Sequence, residues 1–408
     1  MQGNAKHRKG KKTTPASKPS VQKPAKSKTT SKRSSWSRTL AVVAVMATAF
    51  GIVVYLLPCP IDPVPISLPS PPPLEGPLAP NKLLQEAEIL LHGKVVGPEA
   101  LEFRDGAIYT GTGDGQVIRI KNDKITTVAK FGTPPCGLQK DEHTCGRPLG
   151  LRFHTDGFLY VMDAYLGLYK VDVDTGETTK LLSGEDPVEG KPMKFLNDLD
   201  IDSDGVIYFT DSSYRWQRRQ NRHAVLENTN TARVFKFDPK TGEMSVIMDN
   251  LCFANGVQLS PDKDFLLVTE TTHARIKKYW LKGPKKGQVE IFAENLPGLV
   301  DNIRPRQAGG YWVGMAVVRK QPISLYDVLA ARPWMVRLFA KLFNPDWIIK
   351  FLPKYGLAIA LDENGHIIES LHDTTGCNIA SVSSVLDTGD YLYFGSYYAK
   401  FLGRLRLK

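Results

Sequence analysis

Six stretches of this 408-residue chain open in the same way, and their opening residues are the ones that can do chemistry. They read "PEALEFRDGAIYTG" from Pro98, "RPLGLRFHTDGFLYVMD" from Arg147, "LNDLDIDSDGVIYFTD" from Leu196, "ANGVQLSPDKDFLLVTE" from Ala254, "VDNIRPRQAGGYWVG" from Val300 and "SSVLDTGDYLYFGS" from Ser383. The head residues are Glu99, Leu149, Asn197, Asn255, Asp301 (followed by Asn302) and Ser383. Glu99, Asn197, Asn255 and Asp301 all offer a side-chain oxygen, and no head is a cation. Carboxylates brought together repel, and buried amides cost free energy unless partnered. A hard cation resolves both problems. Calcium takes about six to eight oxygens, from carboxylates and amide carbonyls alike, and Glu99 with Asp301 would balance its two charges. Taken alone, Asn255-Gly256 reads as a hairpin turn. Its flanks disagree, because Val257 and Leu259 alternate with Gln258 and the obvious turn is Ser260-Pro261-Asp262. Asn255 therefore heads a strand.

The elements around the heads must bring them together. Each head leads a short alternating strand, a polar turn such as Asp105-Gly106 or Asp204-Gly205, and then a strongly apolar strand such as "AIYTG" or "VIYFTD". Near-continuous β-formers of that kind read as strands buried on both faces. Further strand pairs with glycine turns, "LYKVDVDTGETTKLL" and "VFKFDPKTGEMSVIM", fill the intervals. Head-to-head spacings are 50, 48, 58, 46 and 82 residues. A four-stranded antiparallel unit repeated six times predicts an all-β, six-bladed propeller over residues 86–408. In that architecture the first strand of each blade lines the central channel, so the heads meet on the axis. A sandwich would not repeat at this period. The long interval holds an insertion at about 321–355, where Leu329, Val336, Phe339, Ala340 and Phe343 recur at helical spacing. It reads as a helical flap packed on the propeller, with membrane contact or gating of the pocket as the alternative.

The repeats resemble the calcium-dependent six-bladed propellers: paraoxonases, gluconolactonases and strictosidine synthase-like proteins. "FANGVQLSPD" and "LVDNIRP" are similar to the paraoxonase pattern, and "CGRPLGLRF" is typical of the strictosidine synthase-like branch. The resemblance covers about Gly97 to Leu407. It implies calcium ligands at Glu99, Asn197, Asn255, Asp301 and Asn302, and hydrolysis of small-molecule esters or lactones. Two departures stand out. Paraoxonases carry a His at the second head, where this chain has Leu149, and no His follows in "FLYVMDAY". Strictosidine synthases place a catalytic Glu near the last head, where this chain has Ser381-Val382-Ser383-Ser384. A second, structural calcium of paraoxonases is not expected either, because one of its acids falls on Ala100 and only Asp198 is left. For hydrolysis, Asp301 is the candidate base, His273 a weaker candidate, and Asp211 a residue that would shape the pocket.

The rest of the chain sets its place in the cell. Residues 1–38 hold twelve Lys or Arg and no acid; what remains has 41 bases against 42 acids. The net charge of +11 therefore belongs to the tail and does not mark a nucleic-acid-binding domain. Residues 1–39 read as a disordered, basic cytoplasmic tail. Leu40–Leu57, "LAVVAVMATAFGIVVYLL", carries no charge and is long enough for a bilayer core of about 30 Å. Basic residues flank only its N-terminal side, which predicts a single-pass type II signal anchor with the propeller lumenal or extracellular, at the plasma membrane or the endoplasmic reticulum. Cleavage after Ala49, releasing a soluble enzyme, is a third reading. Residues 58–85, dense in proline, read as a semi-rigid stalk lifting the domain off the membrane.

Cys136 and Cys145 bracket the loop "CGLQKDEHTC". An oxidising lumen would favour a disulfide there, and two free thiols are the alternative; the family resemblance implies the bridge. Two functions emerge: a membrane-anchored calcium-dependent arylesterase or lactonase, and a non-catalytic tethered propeller whose metal stiffens the fold while its flap binds a protein or lipid partner. Nothing in the sequence sets an oligomeric state.

Overall fold

A computed structural model describes residues 31–407. Residues 1–30, most of the expected basic tail, lie outside the described residues. Helix α1 (Ser31–Leu56) contains the apolar run. It starts nine residues before Leu40, so residues 31–39, assigned above to the tail, are helical. Among the described residues it is the one helix long and apolar enough to cross a membrane, over Trp36–Leu56 with mean hydropathy 2.3.

Pro58–Lys408 forms a separate compact unit. Its described residues contain twenty-four strands in six four-stranded sheets. A short strand, β1 (Glu88–Leu90), opens the series. Blade 1 is β2 (Leu101–Arg104), β3 (Ala107–Gly111), β4 (Gln116–Lys121) and β5 (Lys124–Lys130). After α2 (Glu142–Cys145), blade 2 is β6 (Pro148–Phe153), β7 (Leu159–Asp163), β8 (Gly167–Val171) and β9 (Thr178–Ser183). Blade 3 is β10 (Leu196–Ile201) and β11 (Ile207–Asp211), then α3 (Asn221–Glu227), β12 (Ala232–Asp238) and β13 (Glu243–Leu251). Blade 4 is β14 (Ala254–Leu259), β15 (Phe265–Glu270), β16 (Arg275–Trp280) and β17 (Val289–Ala293). Blade 5 is β18 (Gly298–Pro305) and β19 (Tyr311–Val318), then α4 (Leu325–Ala330) and α5 (Pro333–Leu342), and finally β20 (Gly356–Leu361) and β21 (Ile367–Asp373). Blade 6 is β22 (Ser384–Asp387), β23 (Tyr391–Gly395) and β24 (Leu402–Arg406).

Blade 6 takes its outer strand from the other end of the domain: β1 pairs antiparallel with β24, Ile89 opposite Gly403. That pairing joins the two ends of the domain in one blade and closes the ring. Between each pair of neighbouring blades lies one apolar cluster, as two sheets stacked face to face require. Leu151, Val161 and Val171 meet Ala107, Tyr109 and Val117 between blades 1 and 2. Leu101, Ile108 and Ile120 meet Leu402 across the closure. The predicted six-bladed, four-stranded propeller is what the chain forms.

The proline-rich segment does not stand clear as a stalk. Ile61 is buried with Leu226, Val336 and Ala340. Val64 N–H donates to the Glu227 carbonyl (2.9 Å), and Ile66 N–H to that of Ala330 (2.9 Å). Further on, Arg319 donates to the Pro69 carbonyl (2.8 Å) and Gln321 to that of Pro71 (2.9 Å). Proline removes N–H donors but leaves every carbonyl free to accept. Side chains of blade 5 use those carbonyls, so the segment is laid along the domain.

Candidate functional site

Four of the six heads sit in β-bulges. The register of β6–β7 breaks between Pro148 and Gly150, β10–β11 between Leu196 and Leu199, β14–β15 between Ala254 and Val257, and β18–β19 between Val300 and Ile303. A bulge leaves one residue unpaired, bends its strand and re-aims its side chain. Leu149, Asn197, Asn255, Asp301 and Asn302 are among the residues these breaks leave unpaired; Glu99 and Ser383 lie just ahead of β2 and β22. Gly256 makes the crowding possible. A Cβ there would lie 2.6 Å from the Asn302 Cα and 2.7 Å from the Ile303 nitrogen. Only a residue without a side chain lets β14 approach β18 so closely.

Hydroxyls on the neighbouring second strands and turns orient the heads. Asn197 Nδ2 donates to Ser212 Oγ (2.9 Å) and Asn255 Nδ2 to Thr271 Oγ1 (3.2 Å). With the amide nitrogens tied back, the amide oxygens are left for the axis. Ser212, Thr210, Thr271 and Thr269 in turn donate to the carbonyls of Ala254, Asn255, Val300 and Asp301, at 2.6 to 2.7 Å. These hydroxyls were not legible as site residues. Their position two or four residues past the apolar centre of each second strand is the signal that was missed.

Glu99, Leu149, Asn197, Asn255 and Asp301 line one cavity. All are buried. Asn255 Oδ1, Asp301 Oδ1 and Asn302 Oδ1 have no hydrogen-bond partner. Burial, then the charge of Glu99, pushes the Asp301 carboxyl well above its usual range. Burial raises Glu99 as well, against the lowering effect of Arg147 and Arg218. Orphaned oxygens on Asn255 and Asp301, beside two carboxyls that resist ionisation, are an environment short of positive charge; Asn302 is buried with an orphaned oxygen of its own but does not line the cavity. A calcium ion fits that donor set. Arg147 supplies part of the missing charge: its guanidinium lies 3.5 Å from Glu99 and is otherwise held by the carbonyls of Gly97 (2.8 Å) and Tyr397 (3.2 Å).

Below the ring the channel is filled by paired charges. Arg304 grips Asp198 with two bonds of 2.8 and 2.9 Å, and the Val257 N–H adds a third at 3.0 Å. Arg152 bridges Glu102 (3.2 Å) and Asp200 (3.5 Å). Asp198 thus has its counter-charge from an arginine.

Above the ring the walls are apolar. Phe195, Val225, Leu226, Phe253 and Leu299 line them, joined by Leu329, Ile348, Ile349 and Leu352 from the insertion. The β19–β20 connection emerges at the head end of blade 5, which is why the insertion reaches over the cavity. Arg218, Arg222 and Tyr397 supply one polar wall. Arg218 pairs with Glu142 (2.6 Å). Glu142 opens α2, inside the loop closed by the Cys136–Cys145 disulfide, and also accepts from Tyr165 OH (2.9 Å). The loop thus holds Arg218 at the cavity. Arg222 packs over the Tyr397 ring at 5.3 Å, and no carboxylate pairs with it among the described residues.

Two expected residues fall elsewhere. His273 does not line the cavity: it ends a 3₁₀ turn with its imidazole 3.8 Å from Glu270, and burial lowers its pKa. Cys252, Glu270 and His273 approach one another within 4.8 Å. Glu270 is already neutralised by Arg275 and Lys277, and burial pushes the Cys252 thiol up to about 12. That cluster is a charge-paired piece of blade 4. Asp211 is likewise structural. It accepts from Arg233 (3.0 Å) and from the Phe195 N–H (3.1 Å), tying β11 to β12 rather than facing the pocket.

Comparison with known proteins follows the same lines. A strictosidine synthase family model matches residues 197–284, and one for the strictosidine synthase-like N-terminal region matches residues 76–120. The adipocyte plasma membrane-associated protein of Gallus gallus is 46% identical over 371 residues, 90% of this chain and 89% of that protein. Its Homo sapiens counterpart is 46% identical over 355 residues, 86% of this chain and 85% of that one. Among solved structures, a Xanthomonas campestris gluconolactonase superimposes with TM-score 0.54 at 16% identity, covering 86% of this chain and 99% of the other. Regucalcin from Agrobacterium tumefaciens, a calcium-binding protein, gives TM-score 0.52 at 12% identity over 78% and 92%. At those identities the structural likeness speaks for the fold.

Proposed function

The chain belongs to the family of adipocyte plasma membrane-associated proteins, within the strictosidine synthase-like group, and we propose that it is a membrane-anchored, calcium-dependent hydrolase of esters or lactones. The observation that carries this reading is the pair of orphaned oxygens on Asn255 and Asp301 in an apolar-walled cavity that Glu99 and Asn197 also line. Glu99, Asn197, Asn255, Asp301 and Asn302 would hold the ion. When bound, calcium supplies the positive charge that polarises an ester carbonyl and stabilises the oxyanion formed from it.

The chain's own residues do the rest. The apolar walls accept the acyl or aryl part of the substrate and exclude bulk water, which strengthens every charge interaction on the floor. Asp301, a buried carboxylate in the cavity lining, takes a proton from a water whose oxygen adds to the carbonyl carbon. The acyl C–O bond then breaks, and the departing oxygen leaves with that proton. Arg222, on the polar wall without a carboxylate partner, favours substrates that carry an anionic group beside their apolar part. No histidine takes part, in keeping with Leu149 at the second head. We further propose that α1 anchors the chain with its N-terminus cytoplasmic, following the basic block that precedes it.

Leu149, and Arg147 standing against Glu99, favour a second reading in which the ion only holds the ring together. One assay separates the two. Purified residues 58–408 are given phenyl acetate and a δ-lactone, with and without EGTA. Turnover that is lost on chelation, restored by calcium and absent in Asp301→Asn supports hydrolysis. A calcium-dependent thermal shift with no turnover supports the structural reading. Turnover untouched by both chelation and Asp301→Asn contradicts the mechanism.

A further inference from the structure

Helix α5 is apolar on two sides. Val336 and Ala340 face the domain and are buried with Ile61 and Leu226. Trp334, Leu338 and Leu342, at i, i+4 and i+8, form a second stripe that is exposed. A helix at a water surface normally keeps one apolar stripe and a polar face. The outer stripe does not stand alone. Phe339, Phe343, Trp347 and Phe351 form a chain of ring contacts, with centroids 5.5 Å apart for Phe339–Phe343, 6.1 Å for Phe343–Trp347 and 6.3 Å for Phe339–Phe351. Trp334 and Phe351 are each 64% exposed. A contiguous exposed apolar patch of this kind marks an interaction surface.

We propose that the insertion between β19 and β20 docks on the surface of a lipid bilayer, the one crossed by α1. The proposal rests on the anchor reading above. Leu56 ends α1, and the Cys59 thiol, only three residues on, already contacts the Arg337 carbonyl in α5 at 4.0 Å. Three peptide units reach about 11 Å at most. Asp62 pairs with Arg337, and Ile66 bonds to Ala330, so the segment leaving the membrane is fastened to the insertion. The segment after α1 is thus fastened to the insertion and to α3, and of these two the insertion carries the exposed apolar patch. The residue types match. Trp334 and Trp347 combine an apolar ring system with an N–H, the combination that settles at the headgroup level. Residues 321–355 carry five bases, Arg332, Arg337, Lys341, Lys350 and Lys354, against the acids Asp327 and Asp346. The opposite side of the same insertion, Leu329, Ile348, Ile349 and Leu352, lines the cavity. Docking would open that cavity toward amphiphiles held in the bilayer.

The test uses residues 58–408 without the anchor. Among the described residues, all six sheets and all eight apolar clusters are built from residue 59 onward, so this part folds by itself. In flotation with phosphatidylcholine vesicles, with and without phosphatidylserine, the domain is expected to float, and more so with the anionic lipid. The double variant Trp334→Asp/Phe351→Asp removes two exposed apolar side chains, and its partitioning is expected to fall more than about tenfold. Ile291→Asp, an exposed apolar residue on β17, is expected to change nothing, and all three proteins should melt alike. A domain that floats with neither vesicle overturns the proposal. So does a double variant that floats like the parent, or an equal loss in Ile291→Asp. Carbonate extraction of the full chain reads the anchor separately. Release into the supernatant overturns the anchor and the docking argument together; flotation failure with the anchor intact overturns the docking alone.

Discussion

Asp301→Asn should raise the stability of the metal-free domain and remove its response to calcium. In the absence of an ion, burial and the charge of Glu99 push the Asp301 carboxyl well above its usual range. A folded-state pKa above the unfolded one means that the group supports the fold at pH below its unfolded pKa, about 4, and that this support is lost as pH rises through the folded pKa. As pH rises above the unfolded value that support is progressively withdrawn, so Asp301 weighs against the metal-free fold. Asparagine keeps the shape and removes the charge. Calcium reverses the ranking. An ion that binds only the folded state adds about 2.7 kcal/mol at a hundredfold excess over Kd. Pro58–Lys408, at about 2.1 cal/mol/K per residue, has an unfolding entropy of about 0.7 kcal/mol/K. The parent should then melt about 4 °C higher with calcium than in EGTA. The variant, with one of its two anionic ligands gone, should move by less than about 1 °C. Differential scanning fluorimetry in EGTA and in saturating calcium reads all four values. A variant that melts below the parent in EGTA, or that keeps the full calcium shift, would refute the reasoning.

Three further outcomes follow from the same geometry. Because Glu99 and Asp301 are both raised, calcium must displace protons: its affinity should fall as pH drops through those raised values. Calorimetry in buffers of different ionisation enthalpy should show proton release, and an affinity that does not change with pH would count against the site. Cys136→Ser/Cys145→Ser opens a loop whose ends are 9 residues apart, which chain entropy values at about 2.7 kcal/mol. It should lower Tm by about 4 °C and, by freeing Glu142 from Arg218, raise KM for esters more than it lowers kcat. Gly256→Ala places a Cβ 2.6 Å from backbone that cannot swing aside; it should cost about 1–3 kcal/mol and abolish the calcium shift, as chemical denaturation with and without calcium would show.

Much of the architecture was legible because a propeller repeats. The strand pattern recurs six times, and the heads share one phase, so positions as distant as Glu99 and Asp301 could be placed on one axis before any coordinate. The bulges were half visible. Asn255-Gly256 at the mouth of a strand is the trace of one, since the amide is the unpaired residue and the glycine is the space for β18. What resisted reading was whatever depends on side chains from different blades. Arg147 beside Glu99, Arg304 on Asp198 and Glu142 on Arg218 join segments with no common pattern. His273 looked available because its own ten residues are polar, yet its strand end turns it toward Glu270. The proline-rich segment looked like a spacer because composition reports stiffness but not partners. Its carbonyls found Arg319 and Gln321 some 250 residues away.

The most direct test is a crystal structure of residues 58–408 grown with calcium, with anomalous data to locate the ion. The account predicts one ion on the propeller axis, with side-chain oxygens of Glu99, Asn197, Asn255, Asp301 and Asn302 at about 2.3–2.6 Å, and Arg147 turned toward its backbone carbonyls. An axis without an ion at saturating calcium, with Arg147 lying between Glu99 and Asp301 as their counter-charge, would contradict it.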